Sequence, residues 1–184
     1  MAIKITAKEA KERYDLGASK FFGTPTIPQE WCQDFSDDEI FFLQIRLSDI
    51  ADLDTDNNLP HTGYLYVFLH TDNGNYNLRA DVRYYDGEPS VALDDFNCAV
   101  DGYEAFNKAW LMELESADDT YDGTKLFGSV SGWSYEETEK ELFMQFDPLD
   151  SKMGFLDFLD GYLYFLFDEN KKDLSKITLK EEYS

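Results

Sequence analysis

Two long runs of apolar and aromatic residues stand out from an otherwise mixed pattern. They cover positions 63–69 and 161–167, and each is a glycine followed by six apolar or aromatic residues. A strand with one face in water alternates apolar and polar residues, whereas a continuous run rich in Tyr, Phe and Val is typical of a strand buried on both faces. We therefore predict two central strands, at 64–71 and 162–167.

Other parts of the pattern also occur twice, in the same order along the chain. SKFFG at 19–23 matches TKLFG at 124–128, and FFLQI at 41–45 matches LFMQF at 142–146. These matches predict an internal duplication, with two similar halves at about 19–85 and 124–183. We expect the halves to pack about a pseudo-two-fold axis within one domain that spans residues 1–184.

The remaining elements follow from shorter patterns. Thr6 and Glu9 have the spacing of a capping box, which predicts a helix over 7–14. The apolar residues of 103–115 have helical spacing and predict a second helix in the linker between the halves. Further strands are predicted at 40–47, 77–85, 142–146 and 176–183. The predicted fold class is α+β and β-rich, with mainly antiparallel strands and short helices.

The chain is strongly acidic. Its 184 residues include 38 acidic and 16 basic side chains, which gives a formal net charge of −22. Phosphate binding needs basic patches, and anionic membranes attract basic segments, so this charge argues against nucleic acid as a ligand and against membrane binding. Two explanations of the acidity remain open, namely solubility and recognition of a basic protein partner.

Few residues are of the types that hold metals or form disulfides. Cys32 and Cys98 are the only cysteines, and His61 and His70 are the only histidines. Their spacing matches no zinc site, and two cysteines in unrelated contexts predict no disulfide framework. We expect no metal and no cofactor. Because no signal peptide pattern and no membrane-spanning run is visible, we also expect a location in the reducing cytoplasm.

An acidic stretch at 52–58 begins like a calcium-binding loop. Oxygen-bearing side chains occupy alternate positions there, but an EF-hand also needs Gly at its sixth position and Glu at its twelfth. Asn57 and Gly63 occupy those two places. We therefore predict a solvated acidic loop.

Two glutamines are the most unusual residues of the predicted strands. Gln44 and Gln145 are each the only polar residue in the otherwise apolar strand blocks 41–45 and 142–146. A buried amide needs hydrogen-bond partners. Either each glutamine satisfies the backbone of a nearby loop, or the two face each other across the pseudo-two-fold axis and line a shared pocket. Trp31 and Trp133 lie in comparable irregular segments, and are either lids of that pocket or core residues.

The order of these blocks resembles the YwqG-like bacterial family, a domain of unknown function. The resemblance runs from about Ser19 to Tyr183. Its motifs are KFFG at 20–23 followed by Pro25 and Trp31, FLQI at 42–45, GYLYVF at 63–68, KLFG at 125–128, LFMQFD at 142–147 and GYLYF at 161–165. The resemblance implies a β-rich fold of two similar halves. It supplies no catalytic residues, because the family has no established activity, and some relatives accompany toxin–immunity systems, which implies a binding role.

Two hypotheses of function follow. The first is a non-catalytic acidic protein-binding protein, of which an immunity-type protein is one form, with a basic protein as partner. The alternative is a small-ligand-binding or enzymatic role at a pocket between the two halves. The chain has no GxSxG, GxxxxGK[ST] or GxGxxG motif, so we predict no catalytic residues and prefer the first hypothesis.

The expected absence of a metal gives a direct test. Treatment with a chelator should leave the melting temperature unchanged, because only a metal bound to the folded state adds to its stability. Differential scanning calorimetry with and without chelator measures this, and a lower melting temperature after chelation would contradict the prediction.

Overall fold

A single large antiparallel sheet makes up most of the protein. The structure is a computed structural model that describes residues 1–36, 39–71, 78–94, 96, 104–130, 140–148, 161–169 and 173–183. Its strands are β1 (Ala2–Glu9), β2 (Lys20–Phe21), β3 (Thr26–Ile27), β4 (Glu39–Arg46), β5 (Tyr64–Thr71), β6 (Leu78–Tyr85), β7 (Val91–Ala92), β8 (Trp110–Ala117), β9 (Lys125–Leu126), β10 (Leu142–Phe146), β11 (Gly161–Leu166) and β12 (Thr178–Tyr183). Ten of them form one sheet in the order β12-β11-β10-β9-β1-β8-β2-β4-β5-β6, and β3 pairs with β7.

The two edges of this sheet approach each other, so the sheet forms a nearly closed barrel. The backbone N–H of Leu78 in β6 donates to Glu181 Oε1 in β12 at 2.9 Å. Apolar side chains from both ends of the chain fill the interior, where Phe42 stacks on Phe165 with ring centroids 5.7 Å apart. An antiparallel sheet with an even number of strands can close in this way, because its first and last strands also run antiparallel.

The predicted fold class is wrong. Strands account for 45% of the described residues, and no α-helix occurs among them. The sheet is also continuous rather than divided into two packed halves, since β8 lies between β1 and β2 and β1 lies between β8 and β9. The finding that overturns the prediction is this interleaving of strands, which leaves no α+β unit and no clear duplication.

The helix predicted over 7–14 is not present, and β1 occupies the start of that region instead. Ile3 and Ile5 are buried in the core, whereas Thr6 is exposed. This alternation is typical of a half-buried strand. The spacing of Thr6 and Glu9 mimicked a capping box, but all of β1 pairs with β8 along a continuous ladder.

The helix predicted near 103–115 is also wrong. Only a short 3₁₀ segment, Glu104–Asn107, precedes β8 there. Every second residue of β8 lies on the side that packs on the core, namely Trp110, Met112 and Leu114. Glu113, between the last two, is exposed. Both a helical and an alternating pattern fit these residues, and the long ladder with β1 favours the strand.

The other predicted strands are confirmed, and two bulges explain why β4 and β10 carry so many apolar residues. In β4 the pairing with β5 shifts between Phe41 and Leu43, and in β10 the pairing with β11 shifts between Leu142 and Met144. An extra residue at a bulge lets two consecutive side chains face the same side of a sheet. Phe42 and Leu43 therefore both reach the core.

The repeated Phe-Gly pairs form tight turns with left-handed backbone. Phe22 and Gly23 have φ of 53° and 75°, and Phe127 and Gly128 have φ of 61° and 81°. The N–H of Phe22 donates to the carbonyl of the bulge residue Phe42 at 2.9 Å. A Cβ on Gly23 would lie 2.7 Å from the Cβ of Ala109, so glycine is required both by the backbone and by the close approach.

A small second layer covers the outer face of β4, β5 and β6. It consists of the β3–β7 pair and the 3₁₀ segment Gln29–Trp31, and it buries Tyr64, Tyr66 and Phe68. The remaining 3₁₀ segments are Leu47–Asp49 and Leu174–Lys176. Within the described ranges, the helical segments are too short to provide a membrane span.

The turn at Gly23 predicts a large effect of a small substitution. Gly23→Ala should destabilise the protein by about 2 kcal/mol or more, because it adds both left-handed strain and a steric clash. Chemical denaturation measures the free energy of unfolding. The matched control is Gly17→Ala, whose added Cβ meets the ends of the Arg46 and Tyr64 side chains at 3.1 Å and of the Asp15 side chain at 3.4 Å. Equal stability of the two variants would contradict this account.

Candidate functional site

Four polar residues form a line across the outer face of β2, β4, β5 and β6. Lys20 pairs with Gln44, Gln44 with Tyr66, and Tyr66 with Arg83. Directly opposite residues of neighbouring strands point to the same face. Lys20, Gln44 and Tyr66 have no exposed surface at all. We call these four residues the first polar row.

The lysine of this row depends on the loop that precedes β2. The carbonyl of Leu16 accepts hydrogen bonds from Lys20 Nζ, from Gln44 Nε2 at 2.9 Å and from Thr26 Oγ1 at 3.2 Å. Three side-chain donors therefore converge on one backbone oxygen. Burial lowers the pKa of Lys20 to about 7, although the carboxylate of Asp15 acts in the opposite direction.

The hydroxyl of Tyr66 is the least satisfied group of the row. It is buried, and none of the described residues accepts or donates a hydrogen bond to it. Burial raises the pKa of Tyr66, and the negative charges of neighbouring groups, including Glu88, raise it further. Trp31 lies edge-on to this ring, with centroids 5.5 Å apart, and also contacts Tyr85 at 5.9 Å.

Arg83 completes the row beside the same tryptophan. Its guanidinium lies 5.7 Å from the ring centre of Trp31 and 4.7 Å from that of Phe35, which are distances of cation–π contacts. Arg83 Nε donates to Asp81 at 2.6 Å. The described part of the chain offers no acceptor to its terminal nitrogens, and its side chain is 20% exposed.

A second polar row with similar residue types crosses β9 to β12. Lys125 pairs with Gln145, Gln145 with Tyr164, and Tyr164 with Lys180. Here the polar groups have more partners. Lys125 Nζ donates to the carbonyls of three residues, and Tyr164 donates its hydroxyl hydrogen to Glu182 at 2.6 Å. The three carbonyls belong to Asp119, Tyr121 and Ser129.

Many carboxylates gather at one end of the barrel. Arg46, Tyr64 and Tyr85 are in register, so the loops 47–63 and 86–90 leave the sheet at the same end. The Met1 ammonium lies 3.5 Å from Asp56 and 2.9 Å from Asp119, which brings the loop 118–124 to this end as well. We call this region the acidic end, and its exposed carboxylates are those of Asp49, Asp52, Asp56, Asp86, Glu88, Asp118, Asp119 and Asp122. The three loops contain no Lys or Arg.

The predicted site residues occupy different places in this arrangement. Gln44 bonds the loop carbonyls of Leu16 and Ala18 and accepts from the N–H of Thr26, and Gln145 Nε2 donates to the carbonyl of Gly123 at 3.1 Å. Both glutamines therefore hydrogen-bond to the backbone of a nearby loop, which is the first of the two alternatives predicted for them. Four strands separate β4 from β10 in the sheet order.

The structure describes one of the two predicted tryptophans, Trp31. Trp31 contacts Tyr66 and Arg83 of the first polar row. Trp133 lies outside the described residues. A role of Trp31, Gln44, Trp133 and Gln145 in binding stays a prediction.

The stretch that begins like a calcium loop is organised around one buried carboxylate. Asp54 accepts hydrogen bonds from Asn58 N–H, Asn58 Nδ2 and Leu59 N–H at 2.9–3.0 Å, and lies 3.4 Å from His61 Nε2. These bonds lower the pKa of Asp54 although its burial acts in the opposite direction. The carboxylate holds the loop together, and the described residues contain no cluster of potential metal ligands.

Sequence reasoning missed three of the most informative residues. Lys20 is predicted only as part of a repeated block, although a lysine recurs at the same position of both blocks, as Lys125, and that recurrence is a signal. Tyr66 and Arg83 were placed in strands, but their pairing depends on the register of β5 and β6. The sequence of β6 alternates apolar and polar residues, which indicates one polar face of the strand but does not show which other residues pack on that face.

Comparison with known proteins adds no further assignment. No family model matches the chain, and no curated protein does. The resemblance to the YwqG-like family therefore stays a prediction.

The buried lysine predicts a specific dependence of stability on pH. Because the pKa of Lys20 is about 7 in the folded protein and about 10.5 when unfolded, the unfolded chain binds more protons between these values. The cost of burying the charge is fully present below pH 7 and decreases as the pH rises. We expect wild type to gain about 2–3 kcal/mol relative to Lys20→Met between pH 6 and pH 9.

Urea denaturation at several pH values measures this difference. The control is Lys108→Met, which removes an exposed lysine whose side chain is 63% accessible and should leave the pH dependence parallel to that of wild type. A Lys20→Met curve that is also parallel to wild type would contradict the role given to the buried amine.

Proposed function

We propose that the protein is a non-catalytic acidic binding protein whose partner is a basic protein. The observation that supports this most is the acidic end, where three loops distant in sequence present eight exposed carboxylates and no Lys or Arg. Loops at one end of a rigid sheet are common places for recognition. An immunity-type role and a cytoplasmic location are the more specific forms of the proposal.

The arrangement of charge agrees with electrostatic recognition. Away from the acidic end, charges of both signs are mixed: Lys8 lies 3.9 Å from Glu113, and Lys108 lies 3.4 Å from Glu9. Solubility alone needs a high net charge but no segregation of it. A predominantly negative end produces a directed field that accelerates encounter with a basic surface, mainly through the association rate.

Several acidic residues in or beside the loops do not belong to the acidic end. Asp54 is buried and holds its own loop together, and Glu39 is buried at the start of β4. Asp37 and Asp38 lie outside the described residues. Asp52, Asp56, Asp118, Asp119 and Asp122 carry the proposal.

Two sets of substitutions, each removing three carboxylate charges, test the proposal. The partner is first obtained by affinity capture from the native cell, and its association rate is then measured at about 20 mM and about 300 mM salt. The triple variant Asp56→Asn, Asp118→Asn, Asp122→Asn should slow association about tenfold at low salt, and this difference should shrink at high salt.

The control set makes the same change in charge elsewhere. Glu9→Gln, Glu12→Gln and Glu113→Gln remove three exposed carboxylates away from the acidic end, and their association rate should stay close to that of wild type. If both sets slow association equally, net charge rather than the acidic end attracts the partner. If neither set has an effect, the proposal is wrong.

A further inference from the structure

The two polar rows differ at one position in a way that points to a missing chemical group. In the second row, Tyr164 donates to Glu182, which is the residue opposite Tyr162. In the first row, the residue opposite Tyr64 is Tyr85. Tyr85 therefore stands where Glu182 stands, and the first row lacks the carboxylate that completes the second.

The neighbouring tyrosines do not show this difference. Tyr64 donates to Glu88 at 3.2 Å, and Tyr162 lies 3.4 Å from Asp122. Each of these hydroxyls has a carboxylate beside it. Among these tyrosines, the difference is thus confined to Tyr66, whose buried hydroxyl finds no partner in the described ranges. A buried polar group without a partner has lost its hydration without compensation, so an arriving acceptor would bind there with a clear gain.

The groups around Tyr66 define what kind of acceptor fits. Arg83 lies directly opposite Tyr66, and its terminal N–H groups have no acceptor in the described part of the chain. A guanidinium with free terminal nitrogens matches the two oxygens of a carboxylate. The Tyr66 hydroxyl and Arg83 together therefore present donors that a carboxylate would satisfy.

The negative charge around the site limits the charge that the ligand can carry. Glu88 is exposed near the same tyrosines, and the whole protein has a net charge of −22. A dianion such as phosphate would be opposed by this field more strongly than a singly charged carboxylate. Trp31 and Tyr85 add aromatic surface, which suits a ligand with an apolar or aromatic body.

Trp31 covers the position and is placed to move. It is half-buried and lies on the three-residue segment Gln29–Trp31. This turn is held by backbone bonds, including Trp31 N–H to the Pro28 carbonyl at 3.1 Å and Asp34 N–H to the Trp31 carbonyl at 3.0 Å. Rotation of the indole about its side-chain bonds leaves these bonds intact, so the ring can swing aside without unfolding the segment.

We propose that the first polar row binds the carboxylate of a small, singly charged ligand beneath Trp31, with Tyr66 and Arg83 as its donors. The carboxylate takes the place relative to Tyr66 that Glu182 takes relative to Tyr164. The apolar body of the ligand packs on Trp31 and Tyr85. This site adjoins the acidic end, since Glu88 lies beside Tyr64, but it uses different residues and neither proposal depends on the other.

Titration with benzoate and with its neutral analogue benzamide tests the proposal. Binding is followed by the indole N–H signal of Trp31 in two-dimensional NMR, which Trp31→Phe identifies. Benzoate should shift this signal at millimolar concentration, and benzamide should bind at least about tenfold more weakly, because it lacks the charge that Arg83 pairs with. No shift with benzoate, or equal binding of the two compounds, would overturn the proposal.

Single substitutions identify the donors. Tyr66→Phe removes only the hydroxyl and keeps the ring, and it should weaken benzoate binding about tenfold. Arg83→Gln should weaken it at least as much. The matched control is Tyr164→Phe, which removes the corresponding hydroxyl from the second row and should leave the affinity unchanged. An unchanged affinity in Tyr66→Phe, with a native-like spectrum, would show that Tyr66 is no donor and would also overturn the proposal.

The source of the carboxylate is resolved by a second pair of probes. A short acetylated peptide ending in Phe is compared in its free-acid and amidated forms. Tighter binding of the free acid than of benzoate assigns the site to peptide C-termini. Equal or weaker binding assigns it to free small carboxylates.

Discussion

Two lysine side chains are buried in the β-sheet, and this burial determines the path of the loops beside them. An ammonium group away from water is very unfavourable unless oxygen atoms surround it. Lys20 and Lys125 have no exposed surface, so the chain before each strand must fold back and present carbonyl groups. The loop at 14–19 and the loop at 119–123 have their shapes for this reason, and the buried glutamines bind carbonyls of the same two loops.

The two polar rows show how similar residues acquire different properties. Lys125 shares its charge among three carbonyls, whereas among the described residues Lys20 donates to one carbonyl, that of Leu16. Tyr164 has an acceptor in Glu182, whereas Tyr66 has none in the described chain. The second row is satisfied internally and adds rigidity. The first row is incomplete, and incomplete satisfaction of buried polar groups is most often kept where a protein uses it.

The sequence was sufficient to predict elements that depend on local interactions, and it misled where an element depends on pairing with a distant part of the chain. The strands at 64–71 and 142–146 were predicted correctly because continuous apolar runs suffice to identify buried strands. The segments at 7–14 and 103–115 were misassigned because their local spacing fits a helix. Only their pairing with each other, across most of the chain, makes them strands.

The candidate sites show the same limit, because their residues could be recognised locally but the contacts of those residues could not. Gln44 could be recognised as a buried amide that needs partners, but those partners lie on a loop whose path no local pattern specifies. Exposure of the acidic loops could be predicted from composition. Their convergence could not, because it depends on how the sheet curves and on which strands end together.

The position of β1 in the sheet has a consequence for how the protein is made. Both neighbours of β1, namely β8 and β9, emerge from the ribosome about 100 residues later. At about 5–20 residues per second, β1 waits roughly 5–20 s for its partners. During this time a strand with Ile3 and Ile5 on one face and an open backbone edge is available to other chains. The central strand of the finished barrel is therefore the part of the nascent chain that most needs protection by a chaperone.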